Sequence, residues 1–285
     1  MPDFPIVDSH VHLYDPGALD FPWMANAPKL NRPHLPDDFR RLTAGVDVEA
    51  LVFVEVDAAP DQHLREAEWV ANVARSEPDL IRGMVAAIPL EKGEGARADL
   101  AAYAEVGIAR GVRRLIERHL DEPGWALQDD FVAGVQMLPE FGFSFDICVL
   151  HPQLADAIEL VRRCPKVSFV IDHVAKPGIR DGLVEPWKSE MREIASFPNV
   201  ACKISGVVTE AHHDRWTEAE VIPYIEHTID CFGFDRVMFG GDWPVSELAS
   251  TYKRWVDVVD TVVAGASEAE RRKLYRDNAI AFYRL

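Results

Sequence analysis

Two histidines separated by one residue, His10 and His12, close an apolar run that begins at Ile6. Alternate side chains of an extended strand face the same way, so both imidazoles point to one side. Neutral imidazole nitrogens are common ligands for zinc-like ions, and two at a strand end make half a metal site. The same spacing also suits a pair of hydrogen-bonded core histidines. Other chemistry-bearing residues fall at comparable places. Glu55 lies near the end of the apolar run 50–56, where a carboxylate needs a partner or a metal. His151 follows the run 143–150, His173 follows 167–171, and Asp242 follows 236–241. Four of the ten histidines therefore stand at strand ends or just beyond them. Imidazoles and carboxylates are the donors that hold a divalent ion. Such an ion polarises a carbonyl and acidifies a bound water, whose proton an adjacent Asp can take.

The elements that carry these residues form a regular series. Apolar runs at 6–12, 50–56, 82–88, 111–116, 143–150, 167–171, 200–205 and 236–241 predict eight strands. Helical patterns follow at 37–46, 61–76, 95–105, 129–141, 152–163, 187–195, 218–232, 248–263 and 268–283. Alternation of this kind predicts an α/β chain folded as one (β/α)8 TIM barrel over residues 1–285, with parallel strands and right-handed crossovers. A barrel gathers the strand ends around one mouth, which would bring His10, His12, Glu55, His151, His173 and Asp242 together. Arg113 and Arg114 must face opposite sides of the fourth strand. The inward one either holds a polarised carbonyl or carboxylate, or makes a structural ion pair. Lys203, inside the seventh strand, either reaches a rim or works in the pocket. Residues 13–36 hold six prolines or glycines together with Tyr14, Phe21 and Trp23. A long irregular segment in a compact domain is usually functional; this one predicts either an aromatic wall over the pocket or a rigid packing loop. The adjacent His212 and His213 diverge in direction and fall in a polar stretch, so they read as loop.

Composition narrows the partners. With 48% hydrophobic residues, the 285-residue chain can bury a sizeable core. A net charge of −17 with no basic tract argues against nucleic acid and against anionic membrane surfaces. The four cysteines are scattered, as expected of reduced thiols in a cytoplasmic protein. Neither a signal-peptide pattern nor a membrane-spanning run is visible.

Several of these segments together resemble the amidohydrolase-related family. They are Asp8-Ser9-His10-Val11-His12-Leu13, Asp172-His173, Lys203-Ile204-Ser205-Gly206, Gly240-Gly241-Asp242-Trp243-Pro244 and the closing Asn278-Ala279. More narrowly, they resemble its sugar-lactonase branch, of the L-rhamnono-γ-lactonase and L-fuconolactonase type. The resemblance runs from the first strand to the C-terminus. It implies hydrolysis of a ring ester of a small sugar-derived lactone. It also implies that His10, His12 and Asp242 form the active-site core, with His173 and Arg113 at the positions of the strand-six histidine and strand-four arginine. His151 resembles the strand-five ligand of metal-dependent members. The ion it implies is a single divalent metal, zinc or manganese, held by His10, His12, His151 and Asp242, with Glu55 as a further ligand or partner. The ion would polarise the lactone carbonyl with help from Arg113 or Lys203, and Asp242 or His173 would act as general base, or His173 would stabilise the oxyanion. Lys203, Trp243, Tyr14 and Trp23 would contact the substrate. The chain departs from binuclear members, because its fourth strand has no lysine to bridge two metals. A metal-independent lactonase of the 2-pyrone-4,6-dicarboxylate type and an amidohydrolase-like decarboxylase are the other readings this resemblance leaves open.

Overall fold

A computed structural model describes residues 1–285. Eight strands run in parallel in chain order: β1 Ile6–Val11, β2 Val48–Val54, β3 Ile81–Ala87, β4 Ala109–Leu115, β5 Ser144–Cys148, β6 Phe169–Ile171, β7 Val200–Ile204 and β8 Val237–Phe239. The ring closes beyond β8, where the Asp242 amide donates to the His10 carbonyl (2.9 Å) and the His12 amide to the Trp243 carbonyl (2.8 Å). The expected TIM barrel is therefore the observed one, and closure itself runs through the site residues.

Side-chain size sorts the two faces of the barrel wall. Valines, alanines and a methionine, among them Val7, Val52, Val54, Val85, Val170, Ala201 and Met238, fill the interior. Larger residues such as Phe53, Phe145, Phe169 and Phe239 pack outward under the helices. β1 breaks the strict alternation. Asp8 pairs with Leu51 and Val11 with Phe53, so one extra residue bulges from β1. Val7 thus faces inward, Asp8 outward, and His10 and His12 inward again. Outside the wall, the Asp8 carboxylate accepts from the Gly241 amide (2.8 Å), the His10 amide (2.9 Å) and the Tyr252 hydroxyl (2.8 Å). One carboxylate so ties the first strand to the last.

The helices are α1 Pro36–Leu42, α2 His63–Ser76, α3 Arg97–Ala104, α4 Asp129–Met137, α5 Leu154–Arg163, α6 Trp187–Ala195, α7 Glu218–Phe232, α8 Tyr252–Val262, α9 Glu268–Arg272 and α10 Asn278–Tyr283. Two expected boundaries shift for local reasons. α8 starts at 252 rather than 248, because Thr251 caps it by accepting from the Arg254 amide. The single helix expected over 268–283 is interrupted by a π-turn at 273–277, which turns α10 under the barrel. Ala279 and Tyr283 then join the interior cluster and plug its lower end. No helix is long and apolar enough to cross a membrane.

Candidate active site

At the C-terminal mouth, four side chains from three parts of the ring converge. His10 Nε2 lies 3.2 Å from His12 Nε2. Asp242 Oδ1 is 3.5 Å from His12 Nε2 and 3.9 Å from both His10 Nε2 and His173 Nε2. Backbone conformation, as much as strand order, produces this. His173, Val174, Ala175 and Lys176 all have positive φ (53°, 48°, 60° and 43°), a full left-handed turn of non-glycine residues. Asp242 has φ 52° and Asp57 has φ 54°. Each such residue costs about 1–2 kcal/mol, and strain of this kind collects at functional sites. Gly206 completes the arrangement. Its φ is +58°, and a Cβ there would lie 2.4 Å from His173 Nδ1 and 2.9 Å from Asp242 Oδ2.

Tautomers follow from the partners. His12 Nδ1 lies 2.8 Å from the Val54 carbonyl, an acceptor only, so Nδ1 carries the proton and Nε2 presents its lone pair. Burial drives His10 well below the ordinary imidazole range against the pull of Asp172, and it drives His173 down to about 4. Both are neutral near pH 7. Burial alone would raise Asp242, but the neighbouring His173 leads the effects that outweigh it and hold its carboxyl below the usual value. The mouth thus joins an ionised carboxylate to the neutral imidazoles of His10 and His173.

Beneath lies a buried ionic floor. Arg113 donates through Nε to Glu55 Oε1 (2.6 Å), through one terminal nitrogen to the Glu55 carbonyl (2.7 Å), and through the other to Asp172 Oδ2 (3.2 Å). Lys203 donates to Asp146 (2.6 Å), stands 3.0 Å from Asp172 Oδ1, and is 3.2 Å from His10 Nδ1. Burial works against charge on Asp172, but Lys203 and His10 keep its carboxyl well below the ordinary range. The Tyr283 hydroxyl reaches Asp146 from α10 (2.7 Å).

A cavity of about 250 Å³ opens above this floor. It is lined by His12, His173 and Asp242, by Glu55 and Arg113, and by Tyr14 and Trp23 from the irregular segment. Trp23 is anchored there by its indole N–H, which donates to the Val56 carbonyl (2.8 Å). That segment is therefore both wall and packing loop.

The structure does not bring every expected residue to the cavity. His151 begins a short turn outside it, with Nε2 lying where a Cβ on Gly178 would meet it. Its strand ends at Cys148, and the extra residues before the turn carry the ring away. Lys203 is wholly buried among Asp146, Asp172 and His10, within the floor and out of the cavity. Trp243 is also fully buried, packed edge-on against His34 and Phe39, so it supports the wall rather than facing a ligand. Glu55 lines the cavity, but one oxygen is taken by Arg113 and the other by the Asp57 amide (2.6 Å). Arg114 faces the helical layer and pairs with Glu91, while His212 and His213 lie in loop. Missed in the sequence were Asp57, Glu117, Arg118, Cys148, Lys176 and Thr209 on the walls, with Asp146 and Asp172 in the floor. Only Asp172, next to His173, carried a visible signal.

The donor set fits a metal. Two acidic or imidazole clusters stand close enough for one ion, His10 with His12 and Asp242, and His10 with Asp172 and His173. Ligands about 2.0–2.1 Å from a tetrahedral ion stand roughly 3.3 Å apart, and the His10–His12 spacing of 3.2 Å matches that. The first cluster is the better one, because Asp172 is already held by Arg113 and Lys203. A family model described as amidohydrolase matches residues 7–285. The chain belongs to the amidohydrolase family. Among members of known name, an L-fucono-1,5-lactonase of Burkholderia multivorans is 31% identical, covering 98% of this chain and 96% of that protein. An L-rhamnono-gamma-lactonase of Scheffersomyces stipitis is 25% identical over the full length of both. A Burkholderia multivorans amidohydrolase crystallised with bound Zn superposes with a TM-score of 0.88 at 29% identity, over 99% of this chain and all of the other.

Proposed function

We propose that this amidohydrolase opens the ring ester of a sugar-derived lactone, of the L-fucono- or L-rhamnonolactone kind. The observation that carries the reading is the ionised Asp242 held beside His12 and the neutral His10 and His173 at the mouth of the barrel. Full-length likeness to two sugar lactonases supports it. The cavity suits a single ring, and Tyr14 and Trp23 offer it aromatic surface.

His10, His12 and Asp242 would hold one divalent ion, zinc by the nature of the donors and by likeness to the Zn-bound relative. When bound, that ion supplies carbonyl polarisation and a more acidic water. The chain's own residues do the rest. Asp242 takes a proton from the attacking water as oxygen bonds to the carbonyl carbon. Ser205 lies 3.0 Å from His173 Nδ1; donation from its hydroxyl leaves the His173 proton on Nε2, aimed at the cavity for the developing oxyanion. The ring C–O bond then breaks. Asp242 returns the proton to the departing oxygen, giving a hydroxy acid. Arg113 acts through Glu55 and Asp172 to position the floor.

A metal-independent course of the same hydrolysis is the second reading. It is favoured by two cations beside His10, Lys203 at 3.2 Å from Nδ1 and Arg113 at 3.4 Å from Nε2. The decarboxylase reading is disfavoured by charge. Arg113, Arg118 and Lys176, the cations of the cavity, are each paired with Glu55, Asp57 and Glu117, so none is free to seat a substrate carboxylate. The test is an acid-release assay over aldonolactones, on protein as purified, after chelation, and after zinc or manganese is restored. Loss on chelation and recovery on add-back support the metal-assisted reading. Unchanged acid release selects the metal-independent one. Absence of acid release from every lactone removes the lactonase assignment.

A further inference from the structure

We propose that Lys176 and Glu117 form the hydroxyl-reading edge of this cavity, together addressing neighbouring hydroxyls on a neutral, polyhydroxylated ring. The inference rests on the lactonase reading and specifies what its substrate must carry.

Three observations converge. The first is the backbone. The left-handed turn that presents His173 ends at Lys176, and it includes the β-branched Val174 at φ 48°. One turn of strained backbone therefore delivers two side chains to one cavity. A turn serving His173 alone would have no need to extend through Lys176. Placement is the second. Glu117 follows β4 and Lys176 follows β6, across the mouth from His10, His12 and Asp242 on the β1 and β8 side. A ring whose carbonyl meets that cluster turns its far carbons toward Lys176 and Glu117.

Hydrogen-bond capacity is the third observation. Both side chains are largely buried, 18% exposed each, and both line the cavity. They bond to each other and to no other side chain. An ammonium has three N–H donors and a carboxylate about four acceptor sites, so each keeps unused capacity facing the cavity. The pair is neutral as a unit. It can donate to one hydroxyl and accept from the next, but it offers no uncompensated charge to an acid. Against burial, Cys148 and then Glu117 raise Lys176, and Lys176 lowers Glu117 from its usual range.

The experiment measures binding apart from turnover. Calorimetry compares a fully hydroxylated six-membered sugar lactam, which resists hydrolysis, with unsubstituted 2-piperidinone, on wild type, Lys176→Met and Glu117→Gln. Hydrolysis of the corresponding sugar lactone is measured in parallel. The expected result is a roughly 30-fold weaker lactam Kd in each variant, from loss of charge-assisted hydrogen bonds, with less than about 3-fold change for 2-piperidinone. The lactone KM should rise by a similar factor while kcat moves little. Equal weakening of both ligands, or no weakening of either, overturns the proposal while leaving the lactonase reading intact. Glu117→Gln keeps the side-chain shape and carries the test should Lys176→Met fail to fold. Lactam binding that depends on both residues, in a protein that hydrolyses no lactone, keeps the hydroxyl edge and removes the lactonase assignment instead.

Discussion

Single residues decide the chemistry at the mouth. His10→Ala removes one donor of the converging set, and Asp242→Asn removes the carboxylate among them. Both should lower kcat/KM on a sugar lactone by about two orders of magnitude or more, while circular dichroism and melting report an intact fold. Near-normal turnover in either variant would remove that residue from the mechanism. His34 makes a different prediction. It is fully buried beside Tyr14 and Trp243, and neither ring nitrogen has a hydrogen-bond partner. Burial lowers it to about 4. The unfolded chain then binds more protons than the folded one between about pH 4 and 6.5, so stability is full above that window and falls as pH drops through it. His34→Phe should flatten the fall in Tm over that window by the equivalent of roughly 2 kcal/mol. An unchanged pH slope would show that His34 is not buried neutral.

At the scale of elements, the site depends on three local irregularities: the β1 bulge, the left-handed turn after β6, and the crowded glycine after β7. Gly206 tests the last. A methyl group there would collide with His173 and Asp242, and Gly206 itself does not line the cavity. Gly206→Ala should therefore cut kcat/KM about 100-fold or more, from misplacement of the reacting groups, with a smaller loss in Tm. Activity close to wild type would mean that the two side chains have room to shift. Tyr283 tests the lower end. Its hydroxyl donates to buried Asp146, which in turn holds Lys203 under His10. Tyr283→Phe leaves that acceptor short of a partner and should cost about 1–3 kcal/mol in denaturant unfolding. A loss below about 0.5 kcal/mol would mean that Asp146 is satisfied without α10.

For the molecule as a whole, an ion held by His10, His12 and Asp242 would couple its affinity to stability, because the first and last strands would both contribute donors. An ion that binds only the folded ring stabilises it by mass action, about 2.7 kcal/mol at a hundredfold excess over Kd. Zinc added to chelated protein should raise Tm in wild type and leave it unmoved in His10→Ala. The same gain in that variant would place the ion elsewhere. Under the metal-independent reading neither protein responds, so this measurement separates the two courses of hydrolysis without an activity assay.

Local pattern was enough to reveal the architecture. Eight apolar runs alternating with helical periodicities allow little besides a (β/α)8 barrel. Strand ends in such a barrel must meet, so His10, His12, His173 and Asp242 could be grouped from order alone. Alternation, a local property, also put Arg113 and Arg114 on opposite sides of the fourth strand, and the family resemblance pointed to Arg113 as the one in the site. Side-chain direction beyond the last paired residue is not local, and there the tertiary structure decided. His151 swings out on a short turn, Trp243 is buried by the aromatic residues packed around it, and Lys203 sinks into an ionic floor whose partners come from β5 and β6. Lys176 and Glu117 enter the site through a left-handed backbone that no propensity favours. Such a conformation exists only because the surrounding contacts hold it there, and a linear sequence does not display those contacts.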